Sequence, residues 1–130
     1  MINQKYKTYN FSIENLLQSV SEFNLDIDAE YHEETISAIV EKIKGTLDDL
    51  ISKIFVRKSA NNNIHIKVQL SEEIPLFYTL IFRYYLHDDT HRILLDIIRI
   101  TSNLPFDRLW DFKYQDGKQG HASEWIEVKL

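Results

Sequence analysis

The residues best suited to chemistry lie in the run His87-Asp88-Asp89-Thr90-His91. Two histidines at i and i+4 share one helix face and suit a divalent metal such as zinc, and HExxH sites add a Glu between them as the base. Here the second position is Asp88, one methylene shorter than Glu, and the run reads as a turn before a helix rather than as helix. No motif positions a third ligand, although His32, His65 and His121 are available for recruitment by folding. A solvated or capping turn is therefore the first reading. A small metal-dependent hydrolase or nuclease using His87 and His91 is the alternative.

Other catalytic signatures are missing. The chain has no cysteine, hence no thiol nucleophile, disulfide or thiolate metal site. It has no G-x-S-x-G elbow, and Gly45, Gly117 and Gly120 are too scattered to cradle a phosphate. Arg83 and His87 fall one residue short of the Arg-x-x-x-x-His spacing of helical ribonucleases. A net charge of −5 disfavours nucleic acid as a partner, although Arg83, Arg92, Arg99 and Arg108 are close enough in sequence to cluster. No cofactor and no metal is expected.

Charge placement is more informative. Between Thr8 and Glu41 stand eight acids (Glu14, Glu22, Asp26, Asp28, Glu30, Glu33, Glu34 and Glu41) and no Lys or Arg, so this third carries −8 and the remainder +3. Such asymmetry speeds encounter with a basic partner and repels nucleic acid. Acids also solvate exposed helix faces and favour helix N-termini, which is the plainer account of the same run. Near the C-terminus, Asp111 and Asp116 add acid around two tryptophans. Trp110 alternates in phase with Phe112 and Tyr114, whereas Trp125 shares a polar face with Glu127 and Lys129. Trp125 is therefore the one expected to be exposed, as an interface anchor.

The elements that must position these residues follow from hydrophobic periodicity. Ile13, Leu16, Leu17 and Val20 predict a helix over Ser12–Phe23, with Ser12 as N-cap. Ile36, Ile39, Val40, Ile43, Leu47, Leu50, Ile51 and Ile54 alternate at three and four residues and predict one long helix from about Asp28 to Arg57, capped by Asp28 and liable to bend at Gly45. Its seam is expected to dock on the domain's own sheet, with helix-mediated homo-oligomerisation the alternative. After the Asn61-Asn62-Asn63 turn, Ile64, Ile66, Val68 and Leu70 predict a half-buried strand. Leu76 to Leu86 suits a buried helix with Pro75 in its first turn, or a buried strand. Ile93, Leu94, Ile97, Ile98 and Thr101 predict a helix whose outer side carries Arg92, Asp96 and Arg99. The segments Trp110–Tyr114 and Ile126–Leu130 alternate and predict a hairpin across a longish loop.

The expected fold is one α+β domain over residues 1–130, with three or four helices on a small, mostly antiparallel sheet including a C-terminal hairpin. The longest apolar run, Ile74 to Phe82, is too short to cross a membrane, and Met1–Asn10 lacks a signal-peptide pattern, so a cytoplasmic location is expected. The Ile-, Lys- and Asn-rich usage fits a bacterium or phage. The expected function is a non-catalytic acidic binding protein, most concretely an immunity protein that occludes the basic active site of a nuclease-type toxin. Asp26, Asp28, Glu30, Glu33, Glu34, Asp111, Asp116 and Trp125 would meet the partner, the chain itself being a monomer or weak homodimer.

Overall fold

The computed structural model describes residues 11–115 and 118–130. After a 3-10 turn at Ile13–Leu17 come β1 (Ser19–Ile27), α1 (Glu33–Leu47), β2 (Ile51–Lys58), β3 (Ile64–Pro75), α2 (Leu76–Tyr85), α3 (Thr90–Thr101), β4 (Phe112–Gln115), β5 (Lys118–His121) and β6 (Ile126–Val128). The described residues form an antiparallel sheet in the order β1-β3-β2-β6 and a separate β4–β5 hairpin. The α+β expectation holds.

Strand alternation gives the main sheet two unlike faces. Phe23, Leu25, Ile27, Ile54, Val56, Ile64, Ile66, Val68 and Leu70 are buried on one face, under Val40, Ile43 and Leu47 of α1. The seam of α1 thus docks on its own sheet, as expected. The other face carries polar rows, one of which runs Asp26, His65 and Arg57 across three strands. A smaller core of Leu76, Leu80, Ile93 and Ile100 joins α2 to α3.

Several element boundaries differ from the periodicity. The predicted helix over Ser12–Phe23 is a 3-10 turn followed by β1, because Phe23, Leu25 and Ile27 alternate with Asn24 and Asp26 and bury as a strand. Ser12 makes no side-chain cap; its backbone N–H donates to the Thr101 carbonyl at 2.6 Å. The long helix is cut in two. Its N-cap is His32, whose Nδ1 accepts from the Glu34 N–H, rather than Asp28. It ends at Leu47, not at Gly45, and β-branched Ile51, Ile54 and Val56 then form β2. The partner of β4 is β5, while Ile126–Val128 pairs instead with β2 at the sheet edge. Close packing of the hairpin needs Gly120, where a Cβ would lie 2.8 Å from the Ala60 carbonyl oxygen.

The largest departure is α3. Ile93, Asp96 and Ile100 face inward, and Leu94, Ile97 and Ile98 face out. Asp96, expected on the outer side, is fully buried. The alternative strand reading of Leu76–Leu86 falls away: Pro75 stands at the N-cap of α2, where its missing N–H costs nothing.

The cut after α1 is made by Asp48, at φ 46° and ψ −121°. Glycine occupies this region without the steric penalty a Cβ brings. Asp48→Gly is expected to stabilise the fold by about 1 kcal/mol, read as a higher urea midpoint at unchanged slope.

Candidate functional site

The edge strand β1 would present unpaired backbone groups at Asn24 and Asp26. Each is met by a group from the α3 region. The Asn24 N–H donates to Asp107 Oδ2 at 2.9 Å, and its carbonyl accepts from Arg92 Nη1 at 3.4 Å. The Asp26 N–H donates to Asp88 Oδ1 at 2.8 Å, and its carbonyl accepts from the Asp89 N–H at 3.2 Å.

The side chains that close this edge form one buried ionic network. Arg83, only 1 % exposed, donates through Nε to Asp88 at 2.7 Å, and its Nη1 lies 2.9 Å from Asp96. Arg92 bridges Asp88 at 2.6 Å and Asp107 at 2.5 Å. Asp96 also accepts from the Asp107 N–H at 3.0 Å, holding that residue at φ 53°. Three carboxylates therefore share two buried guanidiniums, with Arg99 reaching Asp96 only at 3.4 Å. Burial pushes the Asp107 carboxyl up to about 6 against the opposing pull of Arg83 and Arg92. Burial lowers the Arg83 affinity for its proton, but Asp107, Asp88 and Asp96 more than offset this, and the guanidinium stays charged.

Above the network lies a cleft of about 420 Å³ between the end of β1, the β2–β3 turn, the start of α3 and the chain after it. Asp26, Asn63, His65, His91, Arg99 and Trp110 are among its lining residues. On its floor, Arg57 Nε donates to His65 Nδ1 at 3.0 Å and Arg57 Nη1 to Asp111 at 2.8 Å. The His65 proton is thereby placed on Nε2, 3.7 Å from Asp26. Burial, then the charges of Arg57 and Arg92, lower its pKa to about 4. A general base needs a free lone pair, and that of His65 is occupied by Arg57.

The residues singled out in the sequence divide as follows. Asp26 lies in the cleft wall, whereas Asp28 lies outside this lining and accepts from Asn63 Nδ2, a residue of the cleft, at 3.4 Å. Glu30, Glu33 and Glu34 are exposed on the same β1–α1 connection and the first turn of α1. Asp111 is exposed but held by Arg57. Asp116 lies outside the described residues. The two tryptophans exchange roles: Trp125 is half-buried between Arg57 (4.4 Å) and Lys67 (4.7 Å), whereas Trp110 is 63 % exposed with Arg108 over its ring. Trp125 is kept from solvent because the polar face it shares is roofed by these cationic stems.

His87 and His91 part company. His87, at φ 66°, sits 2.9 Å from Lys42 in a second cleft of about 680 Å³, while His91 lines the first. No group of three or more His, Cys, Asp or Glu side chains placed to hold a metal occurs among the described residues. Arg83 is buried away from exposed His87, so that spacing builds no site. Arg92, Arg99 and Arg108 do gather around the first cleft. The network formed by Asp88, Asp96 and Asp107 was missed by sequence reasoning; only Asp88, paired with Asp89 ahead of α3, gave a local signal, and that was of a helix start. No protein-family model matches the chain, and no curated protein or solved structure is significantly similar to it.

Asp107 and His65 titrate in overlapping windows with opposite effects on stability. Asp107, raised in the folded state, favours folding below its unfolded pKa, and that contribution is lost as pH rises towards 6. His65, lowered in the folded state, disfavours folding at acid pH, and that cost disappears as pH rises from about 4 to the unfolded value of 6.5. The two terms oppose each other. Relative to wild type, Asp107→Asn is expected to gain a stability slope that rises with pH between 4 and 6.5, and His65→Gln one that falls. Each difference should be on the order of 1–2 kcal/mol across the window, measured by urea unfolding at several pH values. Parallel profiles for all three proteins would refute the assignment.

Proposed function

We propose that the chain is a non-catalytic binding protein that holds a basic protein partner at the cleft end of the domain. Its most concrete form is an immunity-type inhibitor that covers the nucleic-acid-binding surface of a toxic nuclease, with carboxylates standing where phosphates would lie.

One observation carries this reading. The acids Glu30, Glu33 and Glu34, on the β1–α1 connection and the first turn of α1, have no cationic partner among the described residues, whereas the carboxylates of the network and of Asp111 are bound to arginine. An unpaired acidic segment attracts cations from solution, and of the arginines lining the cleft Arg92 is committed to Asp88 and Asp107, Arg99 faces Asp96 and Arg108 lies over Trp110. Exposed Trp110 across the cleft supplies a rigid apolar anchor of the kind that dominates binding hot spots. The occupied lone pair of His65 favours binding over acid–base chemistry at the cleft floor.

The experiment is capture of partners from lysate of the source cell with salt elution, followed by binding kinetics on the eluted protein. Replacing Asp28, Glu30, Glu33 and Glu34 with Asn or Gln should cut the association rate about tenfold or more at low salt, with little change in dissociation. Trp110→Ala should instead speed dissociation, by roughly tenfold or more. An eluted partner whose association rate and salt dependence are the same for wild type and this fourfold variant would sink this reading, as would a partner that is acidic.

A further inference from the structure

The outward side of the helical layer is apolar. Tyr78, Ile81 and Tyr85 on α2, and Leu94, Ile97 and Ile98 on α3, are all exposed, by 36 % to 57 %. The two helices pack against each other and against the 3-10 turn, which adds exposed Ile13 and Leu17. No carboxylate of α2 or α3 is exposed among the described residues, and the cations beside this face are Arg99, whose side chain is 41 % exposed, and Lys42, whose Nζ lies 4.7 Å from the Tyr85 ring. In a chain of which 27 % is charged, that is an unusual surface.

We propose that this face joins two copies of the chain in an isologous dimer. Half of a large apolar side chain exposes on the order of 100 Å². Eight of them reach roughly the 800 Å² that one partner of a standard interface contributes. The charge distribution selects the occupant. A basic partner is complementary to the acidic β1–α1 connection and gains little from a mostly apolar face. A second copy brings an identical, mostly uncharged face, so few like charges meet despite a net charge of −5 per chain. The other common route to self-association, pairing of the β1 edge, is closed at Asn24 and Asp26 by Asp107, Arg92, Asp88 and Asp89. This dimer is independent of the partner-binding reading, since it uses neither the acidic β1–α1 connection nor the cleft acids.

Sedimentation of the full chain over a concentration series tests it. Wild type is expected to dimerise with a dissociation constant in the range of about 1–10 µM or tighter. Ile81→Lys and Ile98→Lys, on different helices, should each weaken dimerisation about a hundredfold or more, with circular dichroism unchanged at low concentration because both sites are already solvent-exposed in the monomer. The dimer should persist in about 1 M sodium chloride, where exposed charge–charge attraction is screened. A concentration-independent monomer, a dimer untouched by both lysine variants, or a dimer dissolved by salt would each overturn the proposal. The variant with Asp28, Glu30, Glu33 and Glu34 neutralised should dimerise as wild type does, so failure of partner binding and failure of dimerisation are separately visible.

Discussion

The open edge of β1 is the constraint on which the arrangement depends. A buried backbone N–H or carbonyl without a partner costs about 1–3 kcal/mol, and β1 offers two of each at Asn24 and Asp26. An apolar helix face cannot satisfy them. Asp88, Asp89, Arg92 and Asp107 do, so α3 and the chain after it must approach β1 with their charged side first. Arg83 from α2 then neutralises carboxylates that the edge has drawn into the interior. The helix is turned inside out as a result. Leu94, Ile97 and Ile98 remain in water, each forgoing roughly 1.5–3 kcal/mol of burial, unless a second molecule covers them.

A buried network of this kind is better understood as specifying geometry than as supplying stability. Moving its ions out of water costs several kcal/mol per group, and their attraction does little more than offset that. Loss of one member, by contrast, leaves the others buried and uncompensated. What the network secures is position: it sets the start of α3 against the end of β1, and so forms one wall of the cleft opposite the β2–β3 turn. The Asp26–His65–Arg57 row forms the floor, and Asp28 ties the acidic connection to Asn63 on the far wall. Asp28 is thus held on this frame, while acids nearer the edge are consumed in building it.

The fold class, β3 and the docking of α1 were legible in the sequence because each rests on local periodicity, whereas the apolar run of α2 suited a buried helix or a buried strand. The failures share a cause, since the apolar spacing of Leu47, Leu50, Ile51 and Ile54 fits a helix and a helix-break-strand equally well. The arbiter was the backbone at Asp48, which periodicity does not encode. For α3, Leu94, Ile97 and Ile98 form the stronger apolar stripe, and the rule that such a stripe faces the core gave the wrong side. The sequence holds no local sign that Asn24, Asp88, Asp96 and Asp107 meet, for they are up to 83 residues apart. The acidic connection was visible as composition, but that its acids stay unpaired while Asp88, Asp96 and Asp107 are bound to arginine required the fold. Trp110 and Trp125 exchanged roles because the second strand of the expected hairpin belongs to another sheet.

The most direct test is amide hydrogen exchange at Asn24 and Asp26, followed by NMR on the dilute chain. If Asp107 and Asp88 accept these two N–H groups, both amides exchange slowly, with protection comparable to that of neighbouring Phe23 and Leu25 inside the ladder to β3. Fast exchange at Asn24 and Asp26 beside slow exchange at Phe23 and Leu25 would mean that the β1 edge is open, and the charged docking of α3 would be contradicted.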